Sequence, residues 1–164
     1  MPTATREADR IADQLRRAFD GDAWHGPPLL ALLDGVGPAE AAARPVAGAH
    51  RIWELVQHIT AWLTVARRRL AGEAVELTPD EDWAPVPDAS GRAWRAALDA
   101  LRAAQGGLLD AVARLDDARL DERTPGRNYT HYVLLHGVLQ HTLYHAGQIA
   151  LLKRALTADA ARRA

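Results

Sequence analysis

Tyr129–Leu156 reads YTHYVLLHGVLQHTLYHAGQIALLKRAL, and the winding of this stretch decides the fold. Its inward positions recur in steps of three and four, through Leu134, Val138, His141, His145, Gln148 and Leu152. That is the period of an amphipathic helix. Two members of the stripe are imidazoles four residues apart, so they stand one turn apart on the same face. A buried helix face is a costly place for two ionisable rings unless something binds them. A divalent cation is one such partner.

The same period runs back through the chain. Helices are predicted over residues 5–19, 49–71, 91–115 and 129–156. Ala8, Ile11, Leu15 and Phe19 form the inward stripe of the first, and Asp20-Gly21-Asp22 stops it. Pro27 or Pro28 starts a short segment through Leu33, and Pro38 starts another that Pro45 ends. Leu55, Ile59, Trp62 and Val65 mark the buried side of the second long helix, with His58 among them; Gly72 closes it. Residues 73–90, with Pro79, Pro85, Pro87 and several acids, read as a long loop around Trp83. Ser90 caps a third helix carrying Trp94, Leu98, Leu101, Leu108 and Val112. Gly106-Gly107 inside it lowers helix propensity by about 1 kcal/mol per residue and admits close packing or a bend. Asp116–Asn128 is a polar turn, and the Ala/Arg-rich tail after Leu156 is expected to fray. Four long amphipathic helices without strands predict an all-α four-helix bundle, one domain spanning residues 1–164.

Composition narrows the function. Twenty Lys and Arg against 21 Asp and Glu give a net charge of −1, which offers no electrostatic case for nucleic acid or an anionic membrane. The chain has no cysteine, which rules out disulfides, thiolate metal ligands and a thiol nucleophile of its own. Residues 1–19 are charged and amphipathic, unlike a signal peptide, and no apolar run approaches the ~20 residues of a membrane span. The expectation is a soluble cytoplasmic protein.

Three of the seven histidines fall on inward faces: His58, His141 and His145. Neutral imidazole suits zinc, nickel or iron, and three protein ligands leave a position open for water or substrate. Spacing alone also permits three core histidines bonded to backbone or neighbours. His136 lies about 140° around the helix from His141 and opposite His145, which makes it a surface or interface residue. His131 sits ~21 Å down the helix axis from His145 and is read as structural. His50 is read as a capping or packing residue. His25, in the Trp24–Pro27 corner, is a candidate for the pocket mouth. Glu54, one turn before His58, either orients that ring, acts as a base or forms a surface salt bridge. Gln148 is expected to hydrogen-bond across the bundle. Trp53, Trp62, Trp83 and Trp94 are read as core or lid, with Trp62 and Trp83 as candidates for shaping a pocket.

Other chemistries lack their residues. No Glu-x-x-His occurs for a carboxylate-bridged di-iron bundle, and no His-Glu-x-x-His for a zinc peptidase. No phosphate-cradling glycine loop or nucleophile elbow is present.

Four segments together resemble the DinB/YfiT-like superfamily: WHGP at 24–27, GAHRIWELVQHITAW at 48–62, DWAPVP at 82–87 and HTLYHAGQIALLKR at 141–154. The likeness covers nearly the whole chain in order, and the closing His-x-x-x-His-x-Gly-Gln pattern is its most specific part. The resemblance implies a four-helix bundle, often dimeric, so a homodimer is expected. It also implies a divalent metal held by one histidine of the second long helix and two of the last, here His58, His141 and His145. Zinc or nickel is the expected ion, with iron or manganese as further candidates. The implied activity is that of a metal-dependent hydrolase or a transferase using a low-molecular-weight thiol such as bacillithiol, mycothiol or glutathione, acting on a small molecule. Many such proteins have no known activity, and the alternative is a non-catalytic, stress-associated metal-binding dimer.

Overall fold

The computed structural model describes residues 5–86 and 88–163. Its helices are α1 Glu7–Phe19, α2 Leu29–Leu33, α3 Pro38–Ala42, α4 Ile52–Leu70, α5 Pro79–Asp82, α6 Gly91–Ala113 and α7 His131–Arg163, with a 3-10 turn at Asp117–Asp121. There is no named strand among the described residues, only an isolated bridge between Arg123 and Thr130. Each of α1 and α4 packs on both α6 and α7. The four long helices therefore form a ring of neighbours, the bundle that the periodicity predicts.

The inward stripes meet in one core. Ile11, Leu15 and Phe19 of α1 bury against Leu101, Leu108 and Val112 of α6, Leu135 and Ile149 of α7, and Leu55, Ile59 and Leu63 of α4. Each fully buried aliphatic side chain contributes about 1.5–3 kcal/mol. α4 is buried on more than one side, since Ile52, Trp53, Val56 and Val65 are also covered. Trp94 packs 5.0 Å from Trp53 and donates its Nε1 proton to the Val36 carbonyl at 2.8 Å. Gln105 of α6 donates to the Leu15 carbonyl of α1 at 3.1 Å.

The ends of the helices are fixed by named groups. No local side chain caps α1. Instead both oxygens of Asp117 accept from its first turn, at 2.7 Å from the Glu7 nitrogen and 3.0 Å from that of Ala8. Arg6 donates to the carbonyls of Ala113 and Leu115 at the end of α6. Glu54 accepts from the Arg51 nitrogen at 2.8 Å, setting the start of α4 at Ile52 rather than near residue 49. Gly72, at φ +97°, turns the chain away after Leu70. Ser90 caps α6 through the Ala93 nitrogen, as its sequence predicts.

Two expectations need correction. Residues 73–90 are not loop throughout, because Thr78 and Glu81 form a reciprocal capping box around Pro79 and build the single turn α5. Pro87, assigned to the same loop, lies outside the described residues. The tail after Leu156 does not fray into coil; α7 runs to Arg163. Ala and Arg are among the best helix formers, and no Gly or Pro interrupts them there. Among the described residues, no helix is long and apolar enough to cross a membrane.

Candidate metal centre

α4 and α7 lie side by side, and their facing stripes bring the three inward histidines together. The Nε2 atoms of His58 and His141 are 2.9 Å apart, and those of His141 and His145 are 3.1 Å apart. One ligand atom from each of the three lies within 4.8 Å of the others, and no fourth His, Asp or Glu among the described residues joins the set. Nitrogens bound to a single tetrahedral ion at about 2.0–2.1 Å stand about 3.3 Å apart. The two printed spacings lie within a few tenths of an ångström of that separation, and the third is at most 4.8 Å.

The outer ring atoms decide where the protons sit. His58 Nδ1 lies 2.8 Å from the Asp82 carbonyl oxygen and 3.0 Å from its carboxylate. Both groups only accept, so Nδ1 carries the proton and Nε2 presents a lone pair. His145 Nδ1 lies 2.7 Å from Oε1 of Gln148, with the same consequence. Gln148 therefore works on its own helix, one turn along, and not across the bundle as the sequence suggests. His141 Nδ1 is buried with no hydrogen-bond partner. Between the three Nε2 atoms there are at least two lone pairs and at most one proton. That arrangement leaves one close nitrogen pair unbonded unless a cation replaces the proton.

Burial keeps the two α7 rings neutral. His141 is pushed down to about 3, first by desolvation and then by its neighbours His145 and His58. Burial also lowers His145, against an upward pull from its Gln148 hydrogen bond. Neutral imidazoles can take up a cation near neutral pH without first shedding a proton.

The centre opens onto a cavity of about 560 Å³ between α4 and α7. Trp62, Ala66 and Arg69 of α4, Val138 and Tyr144 of α7, and Tyr129 just before α7 line it together with the histidines. Trp83 closes one side as the middle layer of a stack. Its ring centre is 3.9 Å from His58 and 3.5 Å from His50, each pair within 6° of parallel.

A family model described as the DinB superfamily matches residues 23–149, a span that includes all three histidines. The chain belongs to the DinB superfamily. Comparison with curated proteins and with solved structures returned no match.

In this DinB-superfamily chain the pocket candidates divide. Trp62 and Trp83 line the cavity; His25 and Glu54 do not. His25 sits in an exposed corner beside a fully exposed Trp24. Glu54 points along the start of α4, where it accepts from the Arg51 backbone and pairs with Arg44. Of the roles the sequence leaves open for Glu54, the salt bridge is the one observed, with the backbone cap beside it. His50 packs on Trp83, and His131 is buried with Nδ1 3.1 Å from the Arg119 carbonyl, both structural as expected. His136 is partly exposed and packs on Tyr132, away from the centre.

Asp82 is the residue of this centre that sequence reasoning missed. Its carboxylate also accepts from Trp62 Nε1 at 2.7 Å, so one side chain fixes the His58 ring and a cavity wall. Its signal was the Thr78–Glu81 capping box, which ends immediately before it.

Proposed function

We propose that this DinB-superfamily chain is a metal-dependent enzyme, a hydrolase or a low-molecular-weight-thiol-dependent transferase acting on a small molecule held between α4 and α7. One observation supports the reading above all others: three Nε2 atoms, two with their protons placed on the far ring nitrogen, converge at the wall of an apolar cavity. His58, His141 and His145 would hold the ion. Imidazole nitrogen favours zinc or nickel, with iron or manganese as further candidates. A bound divalent ion supplies Lewis acidity that makes a water or an external thiol nucleophilic near neutral pH. Asp82 and Gln148 orient two of the rings, while Trp62 and Trp83 shield the centre from bulk water. The chain offers no thiol, so a sulfur nucleophile would arrive as cosubstrate.

Metal analysis of untagged protein tests the ligand set, with one equivalent expected in wild type and loss of it in His141→Ala. Full stoichiometric metal in that variant would sink the assignment. A screen of thiols and electrophiles, with and without added metal, tests catalysis. Retained metal without metal-dependent turnover would favour a structural site instead.

We also propose a homodimer formed through α7. Val133, Tyr144 and Leu151 are exposed apolar residues on this helix, and Gly137 and Gly147 lie between them on the same face. Sedimentation of wild type against Leu151→Glu tests this; a monomer in both would end it. The cysteine-free composition suits the cytoplasm, which cell fractionation checks.

A further inference from the structure

Arg69 lines the same cavity as the histidines, eleven residues or about 16 Å along α4 from His58. It is 1 % exposed, yet it takes part in no ion pair among the described residues. Nε and Nη2 donate to the Val75 carbonyl at 3.3 and 2.8 Å, and Nη1 donates to the Tyr129 hydroxyl at 2.9 Å. Those bonds occupy three of the five guanidinium protons. The nearby Glu76 pairs with Arg127 instead. The guanidinium also lies 5.7 Å from the centre of the Trp62 ring.

A buried cation without a counter-ion is unusual, because neutral acceptors do not offset the loss of water as a carboxylate does. Burial accordingly pulls the Arg69 pKa below its ordinary value. The remaining lining on this side is apolar or aromatic, from Ala66, Val133, Leu134 and Val138. The cavity thus has a three-histidine end and a cationic end, separated by an apolar span.

We propose that Arg69, with the Tyr129 hydroxyl, receives a carboxylate of the substrate, whose apolar body extends past Trp62 toward the histidines. The proposal deepens the reading of this cavity as a substrate site and names the substrate class: an elongated apolar molecule with an anionic end. Arginine suits this task because its planar fork matches a carboxylate.

The test uses 4-phenylbutyrate and its neutral amide, 4-phenylbutanamide, which share a shape and differ in charge. Both are titrated calorimetrically into the 164-residue chain at about pH 8, with zinc bound and after its removal, where arginine is charged and histidine is not. The expected result is a preference for the carboxylate of about tenfold or more in both forms. That preference should survive in His141→Ala and shrink to about twofold or less in Arg69→Gln, while amide binding persists. Equal binding of the two probes, binding of neither, or a preference that appears only with zinc and vanishes in His141→Ala would overturn the proposal. The metal-free wild type decides alone if Arg69→Gln does not fold. A chelator titration for zinc is run separately, so that anion preference without zinc binding would sink the metal chemistry and leave the anion site standing.

Discussion

His58 donates its Nδ1 proton to Asp82, whose carbonyl oxygen is 2.8 Å and carboxylate 3.0 Å from the ring nitrogen. The contact joins α4 to the end of α5, twenty-four residues onward. A single residue thus supplies two acceptors to one imidazole, and its side chain holds Trp62 as well.

Asp82→Ala keeps the carbonyl and deletes the carboxylate. Metal affinity is expected to fall about tenfold to a hundredfold, the usual effect of removing an outer hydrogen-bond partner of a ligand ring. Competition with a chromophoric chelator measures it. Unchanged affinity would show that the carbonyl alone fixes His58.

The metal-free protein should lose stability in acid through its histidines. His141 is held at about 3 in the fold, whereas a histidine in an unfolded chain titrates near about 6.5. Between those values the unfolded state binds the additional proton, so stability falls as pH drops below about 6.5 and is unaffected by this group above it. His145 is shifted in the same direction. Urea midpoints at about pH 7.5 and about pH 5 should differ more in wild type than in His141→Gln. An equal drop in both proteins would refute the assignment.

Asp117 caps α1 from more than a hundred residues away. Asp117→Ala should lower stability by about 1–2 kcal/mol, and Asp117→Asn by less because one acceptor remains. Denaturant unfolding reads the difference. A neutral Asp117→Ala would mean that water caps the helix equally well.

Gly106 and Gly107 separate cleanly. A Cβ on Gly106 meets nothing within 4 Å, whereas one on Gly107 lies 3.1 Å from Cδ of Arg67. Gly106→Ala should therefore stabilise α6 by about 0.5–1 kcal/mol. Gly107→Ala should gain less, because Arg67 must shift. A larger gain at Gly107, again in denaturant unfolding, would show that this contact does not set the helix spacing.

The bundle was legible because the stripes of α1, α4, α6 and α7 repeat with helical period, although the buried set is wider than those stripes: Leu63 and Ala66 of α4 and Leu135, Ala146 and Ile149 of α7 are also covered. His141 and His145 were legible for the same reason. His58 required the further step that α4 and α7 are neighbours, which periodicity alone does not specify. Periodicity says nothing of the path between helices, so the return of Asp82 and Trp83 to His58 was hidden. The Thr78-x-x-Glu81 box was readable but was absorbed into a loop full of prolines. As pocket candidates Glu54 and His25 fall outside the cavity lining, because nearness in sequence to a ligand or a pocket motif is not nearness in space. Arg69 stands in a run of three arginines in the last turn of α4 and draws no notice there. Its spacing from Trp62 and Ala66 continues the inward stripe, and that distinguishes it from Arg67 and Arg68.

Trp83 is clamped between the rings of His50 and His58, and the residue before it accepts the His58 proton. Swinging this segment outward would strip His58 of its stacking plane and its acceptor at one stroke. With an ion held by the three histidines, the place of Trp83 in the cavity wall and the orientation of His58 would form a single latch: whatever loosens one would loosen the other. Hydrogen exchange would register that linkage as slower opening of the 78–86 amides when zinc is added, and exchange indifferent to zinc would show that the latch is not coupled to the ion.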